Sequence, residues 1–111
     1  CSSDLAYKLQ AFMLEVRQTD EFRRWLSKLA DLRAQARIQA RIDRLALGNP
    51  GDTRSVGEGV SELRIDCGPG YRVYYMRRGN ILVILLCGGD KSTQDKDIKR
   101  AHAIGRQLKE R

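Results

Sequence analysis

The chain has 111 residues, and its 21 Lys and Arg side chains against 14 Asp and Glu give a formal net charge of +7. This length predicts one domain with a modest core, and no apolar run approaches the roughly 18 residues of a membrane-spanning helix. An excess of positive charge in so small a protein favours an anionic partner, namely nucleic acid, a phosphate-rich assembly or an acidic protein, with solubility alone as the plainer explanation.

Residues 1–12 read as foreign to the domain that follows them. The first methionine is Met13, and a regular pattern of apolar residues begins there. We therefore predict a non-native or artefactual extension over 1–12 and a single domain over 13–111. A short native extension is the alternative.

The first half of the domain predicts a strand and a helix hairpin. Alternation of apolar and charged residues over 14–17 indicates a short, half-exposed strand. Thr19 is a suitable N-cap for a helix whose apolar residues recur at helical spacing: Phe22, Trp25, Leu26 and Leu29. A second helix is predicted over 31–47 and ends at the Gly-Asn-Pro sequence of 48–50. The two helices should form an antiparallel hairpin.

The second half predicts a loop, three strands and a helix. Residues 51–59 are loop-like, and strands follow over 62–67, 71–76 and 81–87. The last strand is apolar throughout, which suggests a central position covered on both faces. Ser92 with Asp95 fits the capping box of a final helix. The fold class is therefore α+β, with the helix hairpin packed on one face of an antiparallel sheet and the other face more open.

The β-hairpin around the turn at 68–70 carries the first candidate site. This turn sets Arg72 opposite Asp66 and Arg64 opposite Tyr74. Because strand side chains alternate, one face carries two arginines, an aromatic ring and two carboxylates: Glu62, Arg64, Asp66, Arg72 and Tyr74. Arginine can grip a phosphodiester and stabilise charge in a transition state, and a carboxylate or phenol can assist proton transfer. A solvated face with cross-strand ion pairs is the structural alternative.

The sequence GGDKSTQDKD over 88–97 is the second candidate, at the point where a buried strand leads into a helix. Paired glycines allow close approach of a partner, the helix start offers N–H groups to an anion, and Lys91 adds a positive charge. An ordinary strand–helix turn, capped by Asp90 and Ser92, is the alternative. The GxxxxGK[ST] spacing of a P-loop is absent.

A row of arginines on the second helix is the third candidate, and it could lie along an RNA backbone or hold an acidic protein segment: Arg33, Arg37, Arg41 and Arg44. A solvated helix face is an equally good interpretation. Tyr74 could stack on an RNA base. We interpret His102, near the apolar stripe of the final helix, as a packing residue.

Cysteine and histidine content restricts the chemistry. The three cysteines, Cys1, Cys67 and Cys87, are odd in number and lack CxxC spacing, so free thiols in a reducing cytoplasm are favoured over disulfides or zinc. The single histidine excludes a ribonuclease that uses two. Any general acid or base must then be Lys, Arg, Tyr, Asp or Glu. We expect a cytoplasmic protein with no membrane partner, metal or cofactor.

Three segments resemble the HigB-like branch of the RelE/ParE toxins: VRQTDEFRRWLSKL (16–29), VGEGVSELRIDCGPGYRVYY (56–75) and LLCGGDKSTQDKDI (85–98). Their order is specific, and with the helix between them they cover nearly the whole domain. The resemblance implies a microbial-ribonuclease-like α+β fold and an addiction module toxin of a type II toxin–antitoxin pair. It further implies cleavage of messenger RNA on the ribosome, inhibition of translation, and a cognate antitoxin. That antitoxin is often of the helix-turn-helix type and links the complex to operator DNA.

The resemblance also suggests residue roles. By motif position, Arg72 corresponds to the family's phosphate-binding arginine. Arg64 lies near the position at which RelE has a catalytic lysine, and Lys91 takes the place of a basic residue that the family has after the last strand. Glu62 stands where a second lysine is expected, and the C-terminal tyrosine of RelE and the histidines of some HigB toxins have no counterpart.

The resulting hypothesis is a metal-independent endoribonuclease. Arg72, Lys91 and Arg64 would bind the phosphate and stabilise the transition state, with Glu62 or Asp90 as candidates for proton transfer. A non-enzymatic gyrase poison like ParE and a non-toxic RNA- or protein-binding module are the alternatives.

Overall fold

The computed structural model describes residues 14–79 and 82–109. The predicted extension over 1–12 lies outside the described residues. The regular elements follow in this order: β1 Glu15–Gln18, α1 Asp20–Lys28, α2 Leu32–Ala46, β2 Thr53–Gly57, β3 Val60–Ile65, β4 Tyr71–Arg78, β5 Leu82–Gly89, a 3₁₀ turn Lys91–Thr93 and α3 Gln94–Lys109. The α+β fold predicted from the sequence is confirmed. Within the described ranges, no helix combines the length and apolar character needed to cross a membrane.

The strands form one five-stranded sheet in the order β1-β5-β4-β3-β2. β1 runs parallel to β5, and the remaining neighbours are antiparallel. The prediction that 51–59 is a loop is wrong, since β2 pairs with β3 at the sheet edge. The strand escaped prediction because it is short and polar, as edge strands often are. A turn with three positive φ values joins it to β3, at Gly57 (95°), Glu58 (54°) and Gly59 (76°).

The helix hairpin covers one face of the sheet, as predicted. Thr19 caps α1, accepting from the Phe22 N–H at 3.1 Å while its hydroxyl donates to the Leu86 carbonyl at 2.6 Å. This second bond fixes the helix start to β5. The core on this face joins Leu14 and apolar residues of both helices to alternate residues of three strands: Leu14, Phe22, Ile38, Ile42, Leu45, Leu63, Ile65, Val73, Tyr75, Val83 and Leu85.

The opposite face is less open than the sequence predicted, because α3 packs across it. The helix forms a second core cluster with this face of the sheet. Ala101 of α3 packs with residues of β3, β4 and β5: Val60, Tyr74, Met76, Ile84, Leu86 and Cys87. β5 is thereby covered on both faces, as its apolar sequence predicted. The uncovered part of this face lies beyond the beginning of α3, at the end of β3 and the beginning of β4.

The register of the β3–β4 hairpin differs from the prediction. Arg64 faces Arg72 and Glu62 faces Tyr74, because residues 66–70 form a longer connection than a tight turn over 68–70. The side chains of Glu62, Arg64, Arg72 and Tyr74 keep their common face, since the register shift preserves the alternation. Asp66 lies outside the strands and faces no residue of β4.

Candidate functional site

A buried glutamate surrounded by arginines forms the centre of the candidate site. The side chain of Glu62 has no exposed surface. Its Oε1 atom accepts from Arg54 Nε at 3.2 Å, Arg64 Nε at 3.4 Å and Arg72 Nη1 at 2.9 Å. Its Oε2 atom accepts from the Gln94 side-chain amide at 2.9 Å. We call Arg54, Arg64 and Arg72 the arginine cluster.

Strand register brings these side chains together. Arg54 on β2 faces Glu62 on β3, and Arg64, two residues further along β3, faces Arg72 on β4. Residues directly opposite in an antiparallel pair have Cβ atoms about 5 Å apart, which long side chains easily bridge. Gln94 reaches the carboxylate from the first residue of α3. The cluster therefore depends on three strands and the helix that closes the face.

The surroundings of Glu62 keep it ionised. Burial by itself would raise the pKa of this carboxyl, but the Gln94 hydrogen bond, the charges of Arg72 and Arg54, and the Arg64 hydrogen bond outweigh burial, so the pKa lies below its ordinary value of 4.5. A buried carboxylate with a lowered pKa and four donors is a weak proton acceptor. Its chemistry is better suited to holding arginines than to taking a proton from a substrate.

The lowered pKa predicts an acid-dependent loss of stability. Because the pKa of Glu62 is lower in the folded state, its stabilising contribution is complete above pH 4.5 and is lost as the pH falls through the lowered value. We expect the free energy of unfolding, measured with urea across this range, to decline more steeply in the wild type than in Glu62→Gln. Parallel pH profiles for the two proteins would contradict this assignment.

The three arginines differ in exposure. The side chains of Arg54 and Arg64 are 50% and 43% exposed, whereas that of Arg72 is 11% exposed. Arg72 nevertheless borders, with Arg64, a shallow depression of about 230 Å³ whose other walls are Asp52, Ile65, Asp66, Gly70 and Tyr71. The cluster thus has an inner member, Arg72, and two outer members, Arg54 and Arg64, of which Arg64 also borders the depression.

Lys91 and Asp90 lie beside the same depression. Gly89 faces Arg72 across the β4–β5 pair, and a Cβ built on Gly70 would lie 3.7 Å from Lys91 Cβ. Lys91, which is exposed, therefore borders with its Cβ the turn that forms the depression. Asp90 caps the 3₁₀ turn through its Oδ1, which accepts from the Ser92 N–H at 2.9 Å. The Ser92 hydroxyl bond is the main cause that lowers the pKa of Asp90, so this carboxylate has a structural role as well.

Internal packing accounts for the glycine pair at 88 and 89. A Cβ on Gly88 would collide with the indole ring of Trp25, and a Cβ on Gly89 would collide with the carboxylate of Asp97. Trp25 belongs to α1 and Asp97 to α3, so side chains of both helices pack directly against the backbone at the end of β5. The sequence predicts that these glycines allow close approach of an external partner. Packing within the protein explains the same two glycines without such a partner.

Comparison with known proteins places the chain in a family. The family described as phage-derived protein Gp49-like matches residues 24–109. The chain belongs to the Gp49-like family. An uncharacterized protein of Haemophilus influenzae is 58% identical over 95 residues, which cover 86% of this chain and 96% of that protein. Gp49-like proteins are a toxin-like family related to RelE. The predicted resemblance to RelE-like toxins is therefore confirmed for the family as a whole.

The third predicted site is only partly available in this Gp49-like protein. Arg41 is committed to the backbone, donating to the carbonyls of Arg64 at 2.6 Å and Pro50 at 3.0 Å. Arg37 donates to the Asp66 carbonyl at 3.3 Å. Arg33 and Arg44 are exposed on α2. Arg37 thus ties α2 to the connection between β3 and β4, and Arg41 ties it to β3 and to the segment before β2. Two of the four arginines therefore have a structural function.

Tyr74 and His102 both have internal roles. Tyr74 is completely buried beneath α3, and its ring is not accessible for stacking on a base. Burial, followed by the charges of Glu62 and Asp97, raises the pKa of its phenol. His102, interpreted as a packing residue, contacts the Val56 carbonyl through Nε2 at 2.9 Å and Glu58 through Nδ1 at 3.3 Å. It joins α3 to the β2–β3 turn.

Arg54 and Gln94 are the site residues that sequence reasoning missed. Arg54 lay in a segment predicted as a loop, and only the recognition of β2 would have set it opposite Glu62. Gln94 lies in a segment that the sequence predicts as a capped helix start.

Cys67 and Cys87 are free thiols, as predicted. Burial is the main cause that raises the pKa of Cys87 to about 12, and the nearby charges of Asp97 and Glu21 raise it further. In the described ranges, no group of three or more His, Cys, Asp or Glu side chains could hold a metal ion.

Proposed function

We propose that this protein is the toxin of a type II toxin–antitoxin pair and that it inhibits translation by cleaving messenger RNA on the ribosome. Membership of a toxin-like family supports the general role. The observation that carries the specific activity is the arginine cluster around Glu62, which borders an open depression on the part of the sheet that α3 leaves uncovered. Arginines in such a position suit a phosphodiester ligand.

The proposed reaction is an internal transfer that needs no metal. The ribose 2′-oxygen attacks the adjacent phosphorus and its proton passes to water. The bond to the 5′-oxygen breaks, that oxygen takes a proton from water, and the products are a 2′,3′-cyclic phosphate and a 5′-hydroxyl. Arg72, Arg64 and Lys91 stabilise the charge that develops on the phosphate oxygens. The ribosome aligns the messenger for in-line attack, which can supply a large share of the acceleration.

Proton transfer is the part of the proposed reaction for which the described residues give the least support. The sequence suggested Glu62 or Asp90, but both carboxylates are hydrogen-bonded and both have a pKa below the ordinary value. They are weak bases at neutral pH. We therefore assign most of the rate acceleration to charge stabilisation and alignment. Glu62 takes part through the arginines that it holds.

The proposal includes partners that the resemblance suggested. A cognate antitoxin, expected to be of the helix-turn-helix type, would neutralise the protein and connect it to operator DNA. The exposed arginines Arg33 and Arg44 on α2 offer positive charge to RNA or to an acidic antitoxin segment. The expected location is the cytoplasm, where ribosomes and messenger RNA are found.

Induced expression in bacteria tests the proposal. We expect growth to stop rapidly, protein synthesis measured by pulse labelling to fall first, and messages to acquire new 5′-hydroxyl ends within their coding regions. Co-expression of the neighbouring reading frame should restore growth. A DNA-damage response without message cleavage would contradict the nuclease and support a gyrase poison. Normal growth at equal protein level would support a non-toxic binding module.

A further inference from the structure

The arginine cluster is larger than the site that the sequence predicted, and its additional member lies on an edge strand. We propose that Arg54 is an outer phosphate contact for single-stranded RNA, beside Arg64 and Arg72, and that Glu62 is the positioning residue for all three arginines. The inference rests on the proposed function only in naming RNA as the ligand. The contacts around Glu62 support it independently of any cleavage activity.

The two outer arginines have hydrogen-bonding capacity to spare. Arg54 and Arg64 each contact Glu62 through Nε alone. Among the described residues, neither makes a further side-chain hydrogen bond or ion pair through its terminal Nη groups, and both side chains are about half exposed. A guanidinium group held at Nε with its Nη groups unused can donate to two oxygens of one phosphate.

Charge in the cluster favours an anion. Three guanidinium groups surround one carboxylate, so the buried charge of Glu62 holds the arginines without neutralising them. Fixing long side chains before the ligand arrives lowers the entropy cost of binding. The three arginines stand on adjacent strands, and strands are spaced about 4.8 Å apart. The row therefore crosses the sheet from the β2 edge towards the depression beside Lys91.

An RNA backbone fits this surface better than an acidic protein segment. Protein interfaces depend on aromatic or aliphatic anchors that fill pockets at their centre. Four of the seven residues that line the depression are charged, namely Arg64, Arg72, Asp52 and Asp66, while the aliphatic Ile65 is buried and the Tyr71 ring packs against Trp25. Phosphate contacts require no apolar anchor, since they depend on charge and hydrogen bonds.

Binding of a labelled single-stranded 2′-O-methyl RNA tests the role of Arg54, because the blocked 2′-oxygen prevents cleavage. With Arg54→Ala, we expect weaker binding, and the plot of log affinity against log salt should become less steep by about 0.7. Arg24→Ala, which removes an exposed arginine from α1, should leave both quantities unchanged. An Arg54→Ala protein that is folded and binds with the wild-type salt dependence would overturn the proposal.

Glu62→Gln tests positioning, because the amide keeps the size of the side chain and removes its charge. We expect the Nε–H signals of Arg54 and Arg64 in NMR spectra to shift towards those of free arginine. RNA affinity should change little, since the lost negative charge offsets the lost preorganisation of the arginines, while cleavage on ribosomes should fall by about a hundredfold through misalignment. A merely structural role would reduce affinity and cleavage together, and unchanged Nε–H signals would also refute positioning.

The outcomes separate this inference from the proposed function. If no message is cut but Arg54→Ala changes the salt dependence and Glu62→Gln shifts the Nε–H signals, the inference stands and the nuclease fails. If messages are cut while Arg54→Ala binds RNA with the wild-type salt dependence and Glu62→Gln leaves the Nε–H signals unchanged, the nuclease stands and the inference fails. Binding of a glutamate-rich peptide that depends on Arg54, without RNA binding, would replace RNA by an acidic protein ligand.

Discussion

Replacing Arg72 with Ala is expected to abolish growth arrest and to reduce message cleavage by at least about a hundredfold. Removal of one preorganised donor to a developing negative charge typically costs that much in rate. Arg72 makes the shortest of the three arginine contacts with Glu62 and also borders the depression. It therefore connects the buried carboxylate to the place where a phosphate would bind.

The fold should survive this substitution. Glu62 retains its contacts with Arg54, Arg64 and Gln94, so its charge is not left without partners. Growth after induction, 5′-end mapping of messages and thermal unfolding measure the effect. Arg72→Lys provides a second comparison, because lysine keeps the charge but lacks the planar fork. Undiminished toxicity of Arg72→Ala at equal protein level would exclude the role assigned to this residue.

Gly88→Ala is expected to lower the free energy of unfolding by about 1 to 3 kcal/mol. The added methyl group would occupy the position of the Trp25 indole ring, which packs directly on the Gly88 backbone. Trp25 itself contacts Tyr71 edge-on, with ring centroids 6.2 Å apart, so it has little freedom to move. The midpoint of thermal unfolding should fall by at least about 4 °C.

A double-mutant cycle checks the cause of that loss. If the collision with Trp25 is responsible, Gly88→Ala should cost much less in a Trp25→Leu background, since the smaller side chain leaves room. Interaction free energies between residues in contact are commonly about 0.5 to 3 kcal/mol. Equal losses in both backgrounds would show that backbone conformation, and not the indole ring, accounts for the glycine at this position.

Local patterns predicted much of the fold, because helix periodicity and capping are written in short segments. Thr19 was recognised as a cap and does cap α1, and the apolar run of β5 was correctly assigned to a strand covered on both faces. Polar residues at the sheet edge carried no such signal. Thr53 is held in β2 by its hydroxyl, which donates to the Glu62 carbonyl at 2.9 Å, and that contact depends on a register that no local pattern encodes.

The site was predictable in composition but not in arrangement. Alternation along β3 and β4 correctly put Glu62, Arg64 and Arg72 on one face. The depth of each side chain depends on α3, which buries Glu62 and Tyr74 while leaving Arg64 half exposed. Packing of distant elements decides such burial, so a carboxylate that looked like a candidate base is the counter-ion of three arginines.

The salt-bridged turn between β2 and β3 connects the C-terminal helix to the surface proposed to bind RNA. Arg106 holds Glu58 through two Nη2 contacts at 2.8 and 3.0 Å, and His102 holds the Val56 carbonyl. These contacts anchor the far end of the strand that bears Arg54, which has a neighbouring strand on only one side among the described residues. Sequence changes in the last turns of the helix should therefore alter the proposed phosphate contact of Arg54 from a distance.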